Sequence, residues 1–142
     1  MGKGATFDND LLKLIFNASG IANIADNTAT SPLTNLYLSL HTADPTAAGN
    51  QTSNEAAYTG YARVAVARSS SGFTVTTNSV SPTADSSFPA CTGGTATITF
   101  FGIGTAATGT GKLLYSGTVS PNISVSSGVT PVVKAASTVT EA

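Results

Sequence analysis

The sequence predicts a mainly β protein: a single-domain, jelly-roll-like β-sandwich of about eight short strands with one N-terminal helix. Short alternating or β-branched segments recur along the chain, with Gly, Pro, Asn and Ser between them, a spacing typical of sandwiches and barrels. The chain has 142 residues, the length of one domain. The only helical pattern lies near the start. We therefore expect a helical arm over residues 1–32 and a sandwich over residues 33–142.

The central element is residues 95–119, TATITFFGIGTAATGTGKLLYSGTV, which predict a strand, a turn and a second strand. The first part is β-branched and aromatic, and residues 104–111 are the Gly, Thr and Ala of a turn. Because such a hairpin is marginal alone, it must belong to a larger sheet. Alternation predicts a set of inward-facing side chains. They are Leu36, Leu38, Leu40, Val64, Val66, Ile98, Phe100, and Leu113 or Leu114.

The N-terminal helix is predicted within residues 6–26, with Asp8 or Asn9 as its cap. The spacing of Leu11, Leu14, Ile15 and Ala18 is that of a buried stripe, which Leu12 and Phe16 widen. Such a helix either covers one end of the sandwich or contacts another chain with its second apolar face. For the second case the predicted interface residues are Leu11, Leu12, Ile15 and Phe16.

Residues 33–41 predict a strand with its leucines inward and with Tyr37, Ser39 and His41 outward. Residues 46–60 form a long loop, and loops of this length often carry function. Tyr58 and Tyr61 lie at its end. They are either interface residues, since their rings are amphipathic, or half-buried tyrosines at a strand edge.

Charge and composition exclude several classes of function. Charged residues make up 9% of the chain and the formal net charge is −1. Without a basic stripe, nucleic acid is not an expected partner. A surface so poor in charge does little to discourage association, which favours a chain that works inside an assembly. The single cysteine, Cys91, allows no intrachain disulfide. Since no signal peptide or membrane span is evident, we expect a product made in the cytoplasm.

No catalytic, metal or cofactor site is predicted. His41 is the only histidine, and metal sites normally draw several ligands together. We expect it to be a strand-end histidine hydrogen-bonded to a loop. The glycines of residues 102–109 fit neither phosphate-binding fingerprint and are better explained by a bulge and a turn. The scattered acidic residues do not indicate the facing carboxylates of a glycosidase.

Three phrases together suggest a family. They are LYLSLHTADP at residues 36–45, YAR at residues 61–63, and FGIGTAATG at residues 101–109 followed by LLYSG at residues 113–117. In this order they resemble small virion structural proteins of tailed bacteriophages, most of all the jelly-roll capsid cement or decoration proteins. The resemblance implies no catalytic residues. The sequence differs from tail-fibre relatives in lacking collagen-like repeats and coiled-coil heptads.

The resemblance implies a non-enzymatic cement protein that binds the outer capsid shell and stabilises neighbouring capsomers. Its expected partners are further copies, as a homodimer or homotrimer, and the major capsid protein, with no membrane involved. Its expected location is the capsid surface. The first alternative is a tail or fibre-attachment structural protein. The second is a carbohydrate-binding β-sandwich in which Tyr58, Tyr61 or Tyr115 stacks on sugar rings.

Overall fold

The computed structural model describes residues 2–17, 20–22, 24, 33–77 and 79–140, without the side chains of residues 12–15. Ten strands and one helix occur in these residues. In chain order they are β1 (Gly2–Lys3), α1 (Ala5–Phe16), β2 (Asn35–His41), β3 (Val64–Ala67), β4 (Phe73–Thr76), β5 (Ser79–Pro82), β6 (Ser86–Ser87), β7 (Ala96–Gly104), β8 (Leu113–Val125), β9 (Val132–Val133) and β10 (Val139–Thr140). The prediction of a mainly β sandwich with one helix is confirmed. No helix in the described part is long and apolar enough to span a membrane.

The strands form three antiparallel sheets, whose strand orders are β1-β8-β7-β2-β3, β10-β5-β4 and β6-β9. The predicted central hairpin is β7 and β8, with the turn at residues 105–112. It pairs with β2 on one side and β1 on the other, so it lies in the middle of the largest sheet, as expected.

The main core lies between the five-stranded sheet and the smaller sheets. Leu38 pairs with Ile103 and Leu40 with Phe101, so these four side chains share the inner face. Val80, Val133 and Val139 pack against them from β5, β9 and β10. Leu36, Val64 and Val66 lie at the margin of this core, only partly buried. Most of the side chains predicted to face inward do so, and the exception lies on β7.

The exception is Phe100, which was predicted to lie inside with Ile98. Instead Phe101 is buried and Phe100 is half-buried. The pairing of β7 with β8 is irregular between Ile98 and Phe100, where residues 119–122 of β8 lie opposite one residue of β7. An irregularity of this kind resets the alternation of a strand. Residues 120–122 are therefore a bulged part of one long strand.

A second, smaller cluster attaches the helix. Phe7 of α1 packs on Leu114 and meets the ring of Tyr115 edge to face, with 5.6 Å between the ring centroids. Leu11 is half-buried against the same cluster. The helix begins at Ala5, so neither Asp8 nor Asn9 caps it. Asp8 instead lies in the first turn, where a negative charge is favourable. Ala18 and Asp26 lie outside the described residues.

Candidate functional site

His41 and Ser39 form a buried polar pair on β2. The Nε2 atom of His41 lies 2.8 Å from Ser39 Oγ, and Nδ1 lies 2.8 Å from the carbonyl oxygen of Ser53. Because a carbonyl oxygen only accepts, Nδ1 carries the proton and donates it to Ser53. Nε2 of the neutral ring then accepts a hydrogen bond from the Ser39 hydroxyl. The prediction that His41 hydrogen-bonds to a loop is confirmed.

This pair has the atoms of a Ser–His dyad but not its access. Both side chains are 0% exposed, and a nucleophile must reach its substrate. Burial is the largest influence on the ring and lowers the pKa of His41, so the imidazole stays neutral. The outward placement predicted for Ser39 and His41 is wrong. The segment after β2 folds back against this face, where the Ser53 carbonyl accepts from His41 Nδ1, and both side chains are buried.

Gly102 is required by the ring of His41. A Cβ atom at this position would lie 2.7 Å from Ser39 Oγ and 2.8 Å from His41 Nε2. Gly104 lies even closer to a neighbouring side chain, since a Cβ atom there would be 2.1 Å from Gln51 Cδ. It also lies at the second irregularity of the β7–β8 pairing. The glycines at positions 102 and 104 thus make room for buried polar side chains, and Gly104 also lies at a bulge. The sequence predicted the bulge but not the buried side chains.

Four residues form a polar cluster next to the His41 pair: Gln51, Glu55, Tyr61 and Arg63. The Arg63 guanidinium donates to Glu55 from Nε at 2.7 Å and from Nη2 at 2.8 Å. Tyr61 donates its hydroxyl proton to Glu55 Oε1 at 2.8 Å and accepts from Leu40 N at 3.1 Å. The side chain of Arg63 is 3% exposed and that of Glu55 14%. This is a largely buried ion pair with nearly all its hydrogen bonds satisfied.

The polar cluster holds the β7–β8 turn in place. Arg63 donates from Nη1 to Ala106 O at 2.9 Å and from Nη2 to Gly109 O at 2.7 Å. Gln51 exchanges two hydrogen bonds with the backbone of Ala106, at 3.2 Å and 3.0 Å. The turn is exposed over residues 107–111 yet anchored from beneath. The YAR and GTAATG phrases therefore meet in space, and Arg63 connects them.

Gln51 and Glu55 were not among the residues that the sequence singled out. Both lie in the long loop of residues 46–60, which the sequence marked as a functional candidate by its length alone. Gln51 is 0% exposed. The one available signal was the arginine in the YAR phrase, since a buried guanidinium needs an anionic partner.

The six predicted interface residues lie in different environments. Phe16, at the end of α1, is 77% exposed, and Leu11 is half-buried. The side chains of Leu12 and Ile15 lie outside the described residues. The two tyrosines lie against the core: Tyr58 is 4% exposed and donates to Pro89 O, and Tyr61 is half-buried. Their predicted role as an interface stays a prediction.

No group of three or more potential metal ligands occurs in the described part of the chain. Cys91 is buried, and its Sγ lies 3.2 Å from Gly93 O, to which it donates. It therefore has the setting of a structural cysteine rather than that of an exposed reactive thiol.

Comparison with known families gives one match that spans most of the chain. Residues 13–141 match the model of the family described as podophage GP4 fiber I protein gp80. The chain belongs to this family. It is therefore a phage virion structural protein, in agreement with the broader part of the resemblance seen in the sequence. No protein in the curated comparison matches the chain.

For a chain of the gp80 family, His41→Gln tests whether the buried pair has any chemical role. We expect a less stable protein that still supports infection, because His41 is sealed from any substrate. Loss of infectivity with an unchanged melting temperature and normal incorporation into virions would contradict this.

The same variant has a pH signature. Burial lowers the pKa of His41 in the folded chain below its ordinary value of 6.5. As the pH falls through 6.5, the unfolded chain therefore binds a proton at this histidine before the folded chain does. The resulting stability is present above pH 6.5 and is lost as the pH falls below it. Urea titrations at several pH values from neutral to mildly acidic should show a smaller decline in the free energy of unfolding for His41→Gln than for the wild type.

Proposed function

We propose that this chain is a non-enzymatic structural component of a podophage tail fibre or of its attachment to the tail. The family match over residues 13–141 carries the proposal, because the family is described by a fibre protein. This was the first alternative to the capsid cement role. The comparison favours the fibre alternative and gives the cement role no support.

The described residues fit a structural role in two ways. The side chains with reactive chemistry, His41 and Cys91, are buried and hydrogen-bonded within the chain. The exposed turn of the central hairpin is fixed by a buried ion pair, which suits a part that must hold its shape. A rigid surface loses little conformational entropy when it joins an assembly.

The partner most consistent with these features is a further copy of the same chain, as a homodimer or homotrimer. The surface carries few charges to oppose association. Phe16, exposed at the end of α1, offers an apolar contact. The major capsid protein is the partner expected of the cement alternative.

The carbohydrate-binding alternative is weakened by where its tyrosines lie. The ring of Tyr61 is stacked on Phe88, with 6.2 Å between the ring centroids, and meets Tyr58 in an edge contact at 5.4 Å. Tyr115 packs against Phe7. A cleft of about 690 Å³ beside β8 contains none of these rings. Two of the three candidate stacking platforms, Tyr58 and Tyr61, are thus already packed against other rings within the fold.

Copy number in purified virions tests the proposed function. Quantitative mass spectrometry should give this chain in a fixed ratio to the tail proteins, far below the number of major capsid subunits. Antibody labelling should place it on the tail. A copy number comparable to that of the major capsid protein, with label over the whole head, would instead establish the cement role.

A further inference from the structure

One short segment, residues 50–55, connects the buried histidine to the exposed β7–β8 turn. On the side of β2, the carbonyl oxygen of Ser53 accepts from His41 Nδ1 at 2.8 Å. On the side of the turn, Gln51 N donates to Thr110 O at 2.9 Å, and the Gln51 side chain binds the turn as described above. We call residues 50–55 the latch segment. Its position means that a change at His41 reaches the turn through it.

The latch segment is held by hydrogen bonds and not by apolar packing. Its sequence, NQTSNE, contains no apolar side chain. At its end, Asn54 O accepts from Thr42 N at 2.9 Å, and the Asn54 side chain donates to Asp44 O at 2.8 Å. Ala56 and Tyr58, which follow it, are each 4% exposed and belong to the main core. Because regions with few buried apolar contacts open locally at low cost, this segment opens more easily than the chain after it.

A proton on the His41 ring conflicts with these contacts. The neutral ring donates from Nδ1 and accepts the Ser39 hydroxyl at Nε2. A protonated ring has two donors and no acceptor, so the Ser39 hydroxyl would lose its acceptor. The ring is also 0% exposed, and a buried charge is costly unless an opposite charge compensates it.

The surroundings of His41 supply no such compensation. In the described part of the chain, the charged groups that act on the ring are Glu55 of the latch segment and Arg63. These two are paired with each other, so their charges largely cancel. Tyr61 donates to the same carboxylate and stays neutral, because burial raises its pKa. From β7 the ring meets Gly102, which carries no charge. A protonated His41 therefore favours conformations in which water reaches the ring.

We propose that the latch segment is a proton-operated switch: in mildly acidic solution His41 takes up a proton, residues 50–55 leave the face of β2, and the β7–β8 turn becomes mobile while the two larger sheets stay folded. Departure of the segment removes the hydrogen bonds of Gln51 to the turn. It also moves Glu55 away from Arg63, which loosens the guanidinium that holds Ala106 O. The exposed turn is thus fixed at neutral pH and released in acid.

Amide hydrogen exchange read by mass spectrometry tests the switch. The wild type is measured from about pH 7.5 to about pH 5, above the range in which ordinary carboxylates titrate. Since the opened state has a histidine near its ordinary pKa of 6.5, each pH unit below 6.5 should lower the protection of residues 50–55 and 105–111 by up to about tenfold. The amides of β2 and β7 should stay at least about tenfold better protected at each pH.

Two variants identify the group that takes up the proton. His41→Gln supplies a neutral amide that does not titrate, so the loss of protection in acid should disappear. Asp85→Asn is the matched control, since it removes a carboxylate from an exposed ion pair with Lys134 and should behave like the wild type. His41 is the only histidine of the chain, so its ring signals in proton NMR report its protonation in the wild type even where His41→Gln fails to fold.

The expected result is that the ring signals and the protection of both segments change over the same pH range. The switch is overturned if both segments keep their protection down to about pH 5, whether or not the ring takes up a proton. It is also overturned if β2 and β7 exchange as fast as the latch segment in acid, because the chain then opens only by unfolding as a whole. Acid loosening that persists in a folded His41→Gln variant overturns it as well.

Discussion

Arg63→Ala is expected to lower the free energy of unfolding by about 3–5 kcal/mol, the usual cost of removing one partner of a buried ion pair. The loss has two sources. The carboxylate of Glu55 is left with the Tyr61 hydroxyl but without its cation. The carbonyl of Gly109 loses its side-chain donor and that of Ala106 keeps only Gln51, so the β7–β8 turn is held less firmly. Chemical denaturation measures the first effect, and amide exchange over residues 105–111 measures the second.

Three comparisons separate the ion pair from other effects. Arg63→Lys keeps the charge but not the planar fork, so it should recover only part of the stability. Arg63→Ala with Glu55→Ala should cost less than the sum of the single changes, because the unpaired carboxylate is gone. Lys134→Ala breaks the exposed pair with Asp85, whose side chains are 69% and 47% exposed, and should change little. If Arg63→Ala were no worse than Lys134→Ala, the polar cluster would not stabilise the fold.

The sequence predicted the parts of the fold that depend on local alternation. Leu38 and Leu40 follow a strict period of two, and the sheet buries them as predicted. The choice between Phe100 and Phe101 could not be made this way. It depends on residues 119–122 of β8, which bulge opposite β7. Alternation within one strand carries no information about an extra residue in its partner.

The burial of the candidate site could not be predicted from the local sequence pattern either. Ser39 and His41 have the polarity of an exposed face, but residues from the following loop close over them. A buried polar side chain is marked by its partners, and two of these contacts, His41 with Ser53 and Gln51 with Ala106, join residues that are 12 and 55 positions apart in the chain. The helix start was missed because Ala5 precedes the residues with capping side chains.

Leu38→Ala is expected to lower the free energy of unfolding by about 2–5 kcal/mol, the range for large-to-small changes in a core. Leu38 is 1% exposed and lies between the two larger sheets. It lines a small apolar void of about 10 Å³, together with Phe73, Val80 and Ile103. The space left by the truncated side chain would merge with this void. Because the cost rises with the volume of the cavity that remains, we expect a value in the upper part of the range.

Leu36→Ala is the matched control, since it makes the same chemical change two residues earlier on the same face of β2. Leu36 is only half-buried, so less apolar surface is exposed to water by its loss and the structure can relax around it. Urea denaturation of both variants should therefore rank Leu38→Ala well below Leu36→Ala in stability. A loss under about 0.5 kcal/mol for Leu38→Ala is what an exposed position gives, and it would mean that β2 presents its other face to the core.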